Sequence, residues 1–432
     1  MSETPGKSSD LRVLVVGSGG REHALVWAMS QSPSVASVWA APGNDGMTPL
    51  TELVPIAATD VTGITAWAGE HDIDLVVIGP DAAVAAGLAD ALDVAGIPAF
   101  GPSQAASELE WSKAFAKEFM TRHGIPTASY GTFGDVDEAL GFVAQAPLPL
   151  VVKADGLAAG KGVIICETRE QAADAVRAIM QDRAFGDAGA RVVLEEFLTG
   201  SELSVFALID GERYALLPLA RDYKRLGDGD VGPNTGGMGS YAAVTDIPGG
   251  VLDDIRRCVL EPTIAGMRSE GRPYRGVLYV GFMLTADGPK VLEYNCRFGD
   301  PETQVLLPLL DVDVAQLLLQ CAKGRLASDR VAVRDAAAVC VVLASAGYPE
   351  QPSVGDSIAG IAEAEKRGAL VFQAGVRRNG DRLLTNGGRV LSTVGVAKSL
   401  SAARDLAYAA AADIRFAGRY LRHDIASTPD SV

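Results

Sequence analysis

The chain is poor in the residues that mark several classes of function. Its five cysteines, at positions 166, 258, 296, 321 and 340, are odd in number and form no CxxC pair. That excludes the usual zinc spacing and a disulfide framework, and predicts free thiols in a reducing cytoplasm. No run of about 18 apolar residues occurs, so no membrane partner is expected; the mean hydropathy of +0.17 reflects alanine and valine. The opening MSETPGKSSD has no cationic stretch leading into an apolar one, and predicts a disordered tail over residues 1–10, not an export signal. Positive charge is also scarce. With 38 Lys and Arg against 54 Asp and Glu, the net charge of -16 repels polyanions, which excludes nucleic acid as a partner and requires any phosphate site to be local.

What is present is strand and helix alternation in a chain whose 432 residues exceed the size of one hydrophobic core. LRVLVVG (11–17) reads as a buried strand, followed by a helix at REHALVWAM, and further strands are expected near VASVWAAPGN, DLVVIGP and PAFGP. This predicts an α/β N-terminal domain over 11–110 with a parallel, Rossmann-like sheet. Ligands bind beyond the carboxyl ends of such strands, which collects Gly17 to Arg21, Gly43, Asn44 and Gly79 to Asp81 on one rim. One charged helix, SELEWSKAFAKEFMTRHG, is expected next, then short strands with glycine turns forming an inserted subdomain over about 124–193. An α+β stretch continues to 327, and RLASDRVAVRD marks a boundary. The last domain, 328–425, has strands at AAVCVVLAS, ALVFQAGV and RVLSTVGVA, hairpin-like turns at Asn379-Gly380 and Asn386-Gly387-Gly388, and an alanine-rich helix; residues 426–432 read as a tail.

Five segments suggest chemistry. GSGGREH (17–23) departs from GxGxxG because Glu22 replaces the third glycine, and the second strand ends without a ribose-binding acid, which disfavours NAD or FAD. Bare backbone at Gly17, Gly19 and Gly20, with Arg21 beside it, suits one phosphate monoester; His23 is read as structural. VVKADGLAAGKGVII (151–165) is not a Walker A loop, since Gly162 follows Lys161 where Ser or Thr belongs. Two strands flanking Gly156, Gly160, Lys161 and Gly162 instead predict a hairpin folding over a triphosphate, with Lys153 on the strand below. In VLEEFLTGSELSV (193–205), a hinge between strands suits a base and Glu202 a ribose. In KVLEYNCRFGDPETQ (290–304), alternation sets Glu293 and Asn295 on one strand face as hard ligands for Mg²⁺, extends that face to Arg297 for a transferring phosphoryl group, and turns Cys296 into packing. RDYKRLGDGDVGPNTGGMGSY (221–241) is expected to be an active-site loop carrying Lys224, Arg225, Asn234 and Thr235.

Together GSGGREHAL, KADGLAAGKGV, EEFL, GPNTGGMG and NCRFGDPETQ resemble the ATP-grasp superfamily and, within it, the phosphoribosylamine–glycine ligase family, over about residues 11–425. The resemblance implies a two-part ATP-grasp domain over 111–327, with the inserted subdomain as its lid, behind the N-terminal substrate domain and before a small β-rich C-terminal domain with a helix. It implies ATP-dependent joining of glycine to 5-phosphoribosylamine through glycyl phosphate in purine synthesis, by a cytoplasmic monomer or weak homodimer. Carried over by position, Lys113 and Lys153 would contact phosphates, Glu195, Glu196 and Leu198 the adenine, and Glu202 the ribose. Glu293 and Asn295 would hold Mg²⁺ or Mn²⁺. Gly19, Gly20, Arg21, Glu22, Asn44 and Asp81 would receive phosphoribosylamine, while Asp222, Asn234, Thr235 and Arg297 line the reacting centre. Tyr223 stands where the family more often has histidine, SYAAVTD replaces AYSPAP after Gly239, and GFML (281–284) lacks a further metal carboxylate. Open alternatives are another ATP-grasp ligase acting on a different carboxylate and a catalytically silent nucleotide-binding regulator.

Overall fold

The computed structural model describes residues 10–157 and 162–427. Its first sheet is parallel, with order β3-β2-β1-β4-β5, formed by β1 (Leu11–Gly17), β2 (Val35–Pro42), β3 (Glu52–Leu53), β4 (Leu75–Ile78) and β5 (Ala99–Phe100). The apolar run from Val13 to Val16 in β1 follows from its central place, since both of its faces are covered. Strand order reverses direction at β1, which opens a crevice where β1 and β4 end. The two-residue edge strand β3 is too short for residue periodicity to reveal.

The single charged helix expected next is two helices, Glu108–Trp111 and Lys113–Arg122. They part at Ser112, whose Oγ accepts from the Phe115 amide as an N-cap, while Asp155 Oδ1 accepts from the Ala114 amide at 3.0 Å. A second sheet then forms from β6 (Tyr130–Phe133), β7 (Leu150–Ala154), β8 (Val163–Cys166) and β9 (Val192–Glu196), antiparallel in the order β6-β9-β7-β8. Helices Val136–Gln145 and Arg169–Met180 bury their alanine and valine faces against it.

The largest sheet takes strands from the rest of the chain: β10 (Ser201–Asp210), β11 (Tyr214–Leu216), β12 (Ala220–Asp222), then, past a ribbon of β13 (Arg225–Gly227) and β14 (Val231–Asn234), β15 (Gly239–Ala242), β16 (Arg275–Thr285), β17 (Gly288–Asn295) and β18 (Ala337–Ala344). Beyond β19 (Ser357–Ile358) come β20 (Leu370–Gln373), β21 (Val376–Asn379), β22 (Arg382–Thr385) and β23 (Arg389–Ala397). The order β17-β16-β10-β12-β15-β18-β23-β20 is antiparallel throughout, with β11 on β10. Strand alternation splits its side chains between two cores. Leu203, Val205, Ala207 and Ile209 face one, which the helix Leu400–Asp413 closes, and Phe206 and Leu208 face the other, beneath the N-terminal sheet. That helix lies so close to β23 that position 395 requires glycine: a Cβ there would lie 2.0 Å from the Ala403 carbonyl oxygen.

Two expectations change. Residues 221–241 are ordered strands around the β13–β14 ribbon, not a loop, and the C-terminal segment clasps that ribbon. Arg422, 1% exposed, donates to the Arg225 carbonyl, and Tyr420 to that of Leu226. Tyr223, the departure from histidine, lies under the Arg422 guanidinium at 4.8 Å and accepts from the Ala426 amide, so it serves the clasp. Asn379-Gly380 does turn the β21–β22 hairpin, but Asn386-Gly387-Gly388 does not, because β22 and β23 lie in different sheets. No helix among the described residues is long and apolar enough to cross a membrane.

Candidate active site

A cleft of about 1430 Å³ separates the second sheet from the largest one. Lys153 enters it from β7, where alternation turns its side chain away from the apolar core of that sheet; its Nζ lies 2.9 Å from Glu195 Oε1 and 3.3 Å from the Leu292 carbonyl. Lys113, at the first turn of its helix, donates to the Gly156 carbonyl at 2.9 Å, and burial, with Lys153 nearby, lowers its pKa. Gly156 requires glycine, with φ +153° and Ala188 Cβ 2.6 Å from where a Cβ would stand. Gly156 and Gly162 line the cleft; Gly160 and Lys161 lie outside the described residues. An apolar wall of Met120, Val151, Ile165, Leu198, Met283 and Leu292 backs this end. Glu195 is buried there, whereas Glu196 is tied to the Ser129 amide at 2.9 Å, which with Lys290 holds its carboxyl below the usual range.

Glu293 and Asn295 both line the cleft from β17, and Cys296 is buried in the core behind them. Burial pushes the Glu293 carboxyl up, but Lys224, Lys153, Lys113 and Arg297 outweigh it and hold it below its ordinary value. Arg297 is fixed on every side: Nε lies 3.1 Å from Glu110 Oε1, Nη2 donates to Asn295 Oδ1 at 2.8 Å and Nη1 to the Phe298 carbonyl. Among the described residues no three carboxylate, histidine or cysteine side chains gather as a metal cage. Two hard oxygens nonetheless fit a small divalent cation that takes its other ligands from phosphates and water. Asn295 Oδ1 has a second lone pair beside the one Arg297 uses, and the ionised state of Glu293 is already enforced. Opposite stand Asp222, buried and raised in pKa despite Lys224, and Glu302, whose carboxyl burial and Asp222 push up to about 7. Lys224 bridges Asp222 and Glu202. Asn234 and Thr235 reach the cleft from the ribbon, the Thr235 hydroxyl bonding the Lys224 carbonyl at 2.9 Å.

The rim of the first sheet opens partly elsewhere. Arg21 and Asp81 line the main cleft, and Arg21 Nη1 donates to the Phe298 carbonyl at 3.1 Å. Gly19 and Asn44 instead line a neighbouring recess of about 510 Å³, which the C-terminal segment completes with Gly375 and Arg377. Gly20 and Glu22 line neither. Glu22 is buried beneath the loop, its oxygens taken by the Gly19 amide at 2.6 Å and Arg21 Nε at 2.5 Å. It explains two glycines: a Cβ at Gly17, φ +123°, would lie 2.5 Å from Glu22 Cγ, and one at Gly79 2.1 Å from Oε1. Asn44 Nδ2 bonds the carbonyls of Ser18 and Gln373, tying the rim to β20. His23 accepts from the Gln373 amide at 2.9 Å, and burial lowers it to about 4, in keeping with a structural role. Cleft and recess share Asp300 and Arg389.

Comparison with known proteins agrees with this geometry. Residues 11–110 match the N domain of phosphoribosylglycinamide synthetase, 111–303 its ATP-grasp domain and 338–428 its C domain. The chain belongs to this family. A phosphoribosylamine–glycine ligase of Caulobacter vibrioides is 50% identical over 417 residues, 96% of this chain and 97% of that one, and one of Vibrio vulnificus is 46% identical over 418, covering the same shares. The crystal structure of the Thermotoga maritima phosphoribosylamine–glycine ligase superposes with a TM-score of 0.85 at 36% identity, covering 96% of this chain and 100% of that one. A biotin carboxylase domain from Hydrogenobacter thermophilus shares the fold, with a TM-score of 0.72 at 17% identity over 95% of this chain and 91% of that one.

Several residues of this synthetase-family cleft escape sequence reasoning. Glu110 holds both Arg297 and the Cys296 amide, the latter at 2.7 Å. Asp155 joins the Ala114 amide to Arg191, 2.7 Å away, and so fixes the helix that presents Lys113. Arg389 donates to the carbonyls of Gly236 and Asp300 and pairs with the Asp300 carboxylate at 3.1 Å. For Asp155 a signal existed, since it stands inside the glycine loop motif. Glu110 and Arg389 stand alone in unremarkable helix and strand text.

Proposed function

We propose that this chain uses ATP to join glycine to 5-phosphoribosylamine, forming glycinamide ribonucleotide, ADP and phosphate in purine synthesis. A glycine carboxylate oxygen attacks the γ-phosphorus, the bond to the ADP oxygen breaks, and the phosphoribosylamine nitrogen then attacks the carbonyl carbon of glycyl phosphate. Phosphate leaves and the nitrogen gives up a proton. No enzyme nucleophile is required, so the protein contributes position and fixed charge.

The observation that carries the reading is one cleft in which Lys113, Lys153 and Arg297 surround Glu293 and Asn295, joined through Asp300 and Arg389 to a second recess at the strand ends. In this reading Lys113, Lys153 and the loop at Gly156 to Gly162 hold the triphosphate. The apolar wall with Leu198 and Glu195 takes adenine, Glu196 steadies the hinge, and Glu202 takes ribose. Glu293 and Asn295 would hold Mg²⁺ or Mn²⁺, which would supply charge neutralisation. Arg297, kept rigid by Glu110, stabilises charge on the transferring group, beside Asp222, Asn234 and Thr235. Arg21 and Asp81 receive the ribose side of phosphoribosylamine; Gly19, Gly20 and Asn44 frame the recess, and Glu22 shapes it from beneath.

Purified protein given Mg²⁺ and ATP is expected to release ADP only when glycine and freshly generated phosphoribosylamine are both present. ADP release with another carboxylate in place of glycine, across a panel of amino and hydroxy acids, would replace this assignment with another ligase.

A further inference from the structure

The β13–β14 ribbon carries residues of the proposed reacting centre yet has no core of its own. It forms a separate two-stranded sheet, and no residue from 225 to 234 is fully buried. A lone two-stranded hairpin is marginal in water, so its position must be imposed from outside. The imposition matters at the ribbon base, where the amide and the hydroxyl of Thr235 both donate to the Lys224 carbonyl, at 2.8 and 2.9 Å, and Arg225 pairs with Asn234. Moving the ribbon therefore moves Lys224, Asn234 and Thr235 together along the cleft wall.

The tethers come from residues 420–424. Arg422 Nη1 donates to the Arg225 carbonyl at 2.9 Å and reaches Asp230 Oδ1 at 3.3 Å, while Nε and Nη2 grip the two Asp424 oxygens at 2.8 and 2.7 Å. Asp424 Oδ2 also accepts from the Gly229 amide at 2.8 Å, Asp228 Oδ1 from the His423 amide at 2.7 Å, and the Tyr420 hydroxyl donates to the Leu226 carbonyl at 3.1 Å. Both strands and the turn are thus held from one side. Burial pushes the Asp424 carboxyl up, but Arg422 and the Gly229 amide outweigh it and hold it at about 2, so this fork stays ionised at neutral pH.

The tethering segment is itself anchored in the C-terminal domain. Leu421 and Ile425 are buried in the core that the helix Leu400–Asp413 closes, Arg404 of that helix donates to the His423 and Ile425 carbonyls at 2.8 and 2.9 Å, and Tyr408 to the Arg422 carbonyl at 2.8 Å. Arg422, Asp424 and Ser427 also line the main cleft. We propose that residues 420–427 are a strap through which the C-terminal domain sets the ribbon in place, with Arg422 as the positioning residue for the carboxylate end of the cleft. This rests on the ligase reading. The nucleotide end, with Lys113, Lys153 and the apolar wall, lies on other elements and does not depend on the strap.

The test is made on the full chain with Mg²⁺, by steady-state turnover and by calorimetric ATP binding without acceptor substrates. Arg422→Met is expected to lower kcat/KM for glycine about 10- to 100-fold, the effect of an ångström-scale misplacement, with the KM for glycine raised and the affinity and stoichiometry of ATP unchanged. Tyr420→Phe removes one tether hydroxyl and is expected to act in the same direction by about 3- to 10-fold, which reads the same quantity should Arg422→Met not fold. A role in folding alone gives a different result, because loss of folded molecules lowers kcat and the ATP stoichiometry in proportion and leaves each KM unmoved. That outcome would overturn the proposal, as would wild-type kinetics in both variants or equal losses toward ATP and glycine. Wild type that binds ATP but releases no ADP with glycine and phosphoribosylamine would fell the ligase reading, and this inference with it.

Discussion

In the main cleft, charge comes from side chains on neighbouring strands, and almost every one is paired before any ligand arrives. Lys153 faces Glu195, Lys224 faces Asp222, and Arg297 is held by Glu110 and Asn295. In the recess the backbone amides of Gly19, Gly43 and Gly375 are likewise taken, by the Glu22 carboxylate and the carbonyls of Gly17 and Arg389, but the Arg377 guanidinium has no ion-pair partner among the described residues. The first arrangement spends little reorganisation during phosphoryl transfer because its dipoles and charges already point inward. The second is a recess between regions far apart in the chain, suited to holding a group that does not react. Paired charges distinguish the cleft, and a guanidinium outside any ion pair distinguishes the recess.

If that division holds, variants in the cleft should lower kcat and variants in the recess should raise one KM. Glu293→Ala is expected to have the largest effect, a loss of at least ~10²-fold in turnover with an unchanged far-ultraviolet spectrum, since it removes the carboxylate proposed to hold the cation at the reacting phosphates. Near-normal turnover at saturating magnesium would remove Glu293 from the site. Arg389→Ala tests the boundary: it should raise the KM for phosphoribosylamine about 10- to 100-fold and also lower kcat, because Arg389 orders Asp300 and Gly236 on the cleft side. An effect on the KM for ATP alone would place Arg389 wholly in the cleft. Arg377→Ala should raise the KM for phosphoribosylamine about tenfold with kcat and the ATP KM unmoved, and a fall in kcat would break the comparison. A separate prediction concerns stability. His23 is held neutral down to about 4, so its contribution is complete above the unfolded value near 6.5 and is lost as pH falls toward 4, at about 1 kcal/mol per pH unit. Melting wild type and His23→Gln from pH 7 to 4.5 should show a steeper decline for wild type.

The same division decides what could be read from the sequence. Glu293 and Asn295 are legible because strand alternation sets them on one face of β17, and Lys153 because alternation turns it off the apolar face of β7; Arg297 lies just past the end of β17. The helix at 107–124 was read as continuous because Ser112 is a common helix residue, and its cap depends on Asp155, whose bond to Ala114 spans 41 positions. Glu110 meets Cys296 across 186 positions, and Arg389 meets Gly236 across 153. No periodicity encodes pairings of that length; they arise from strand order. Asn44 and Glu22 are expected from the sequence to receive substrate, yet their polar atoms are largely committed to holding the rim together.

The pairing of β15 with β18 has a practical consequence for handling the protein in pieces. A fragment ending near residue 327, where the text of the chain suggests a seam, would bare the hydrogen-bonding edge of β15 along Gly239 to Ala242, all four of which are buried in the whole molecule. Such an edge recruits other strands, so the fragment should precipitate or form intermolecular sheet on expression. Supplying residues 328–432 in trans should restore it to solution by filling the vacant strand position.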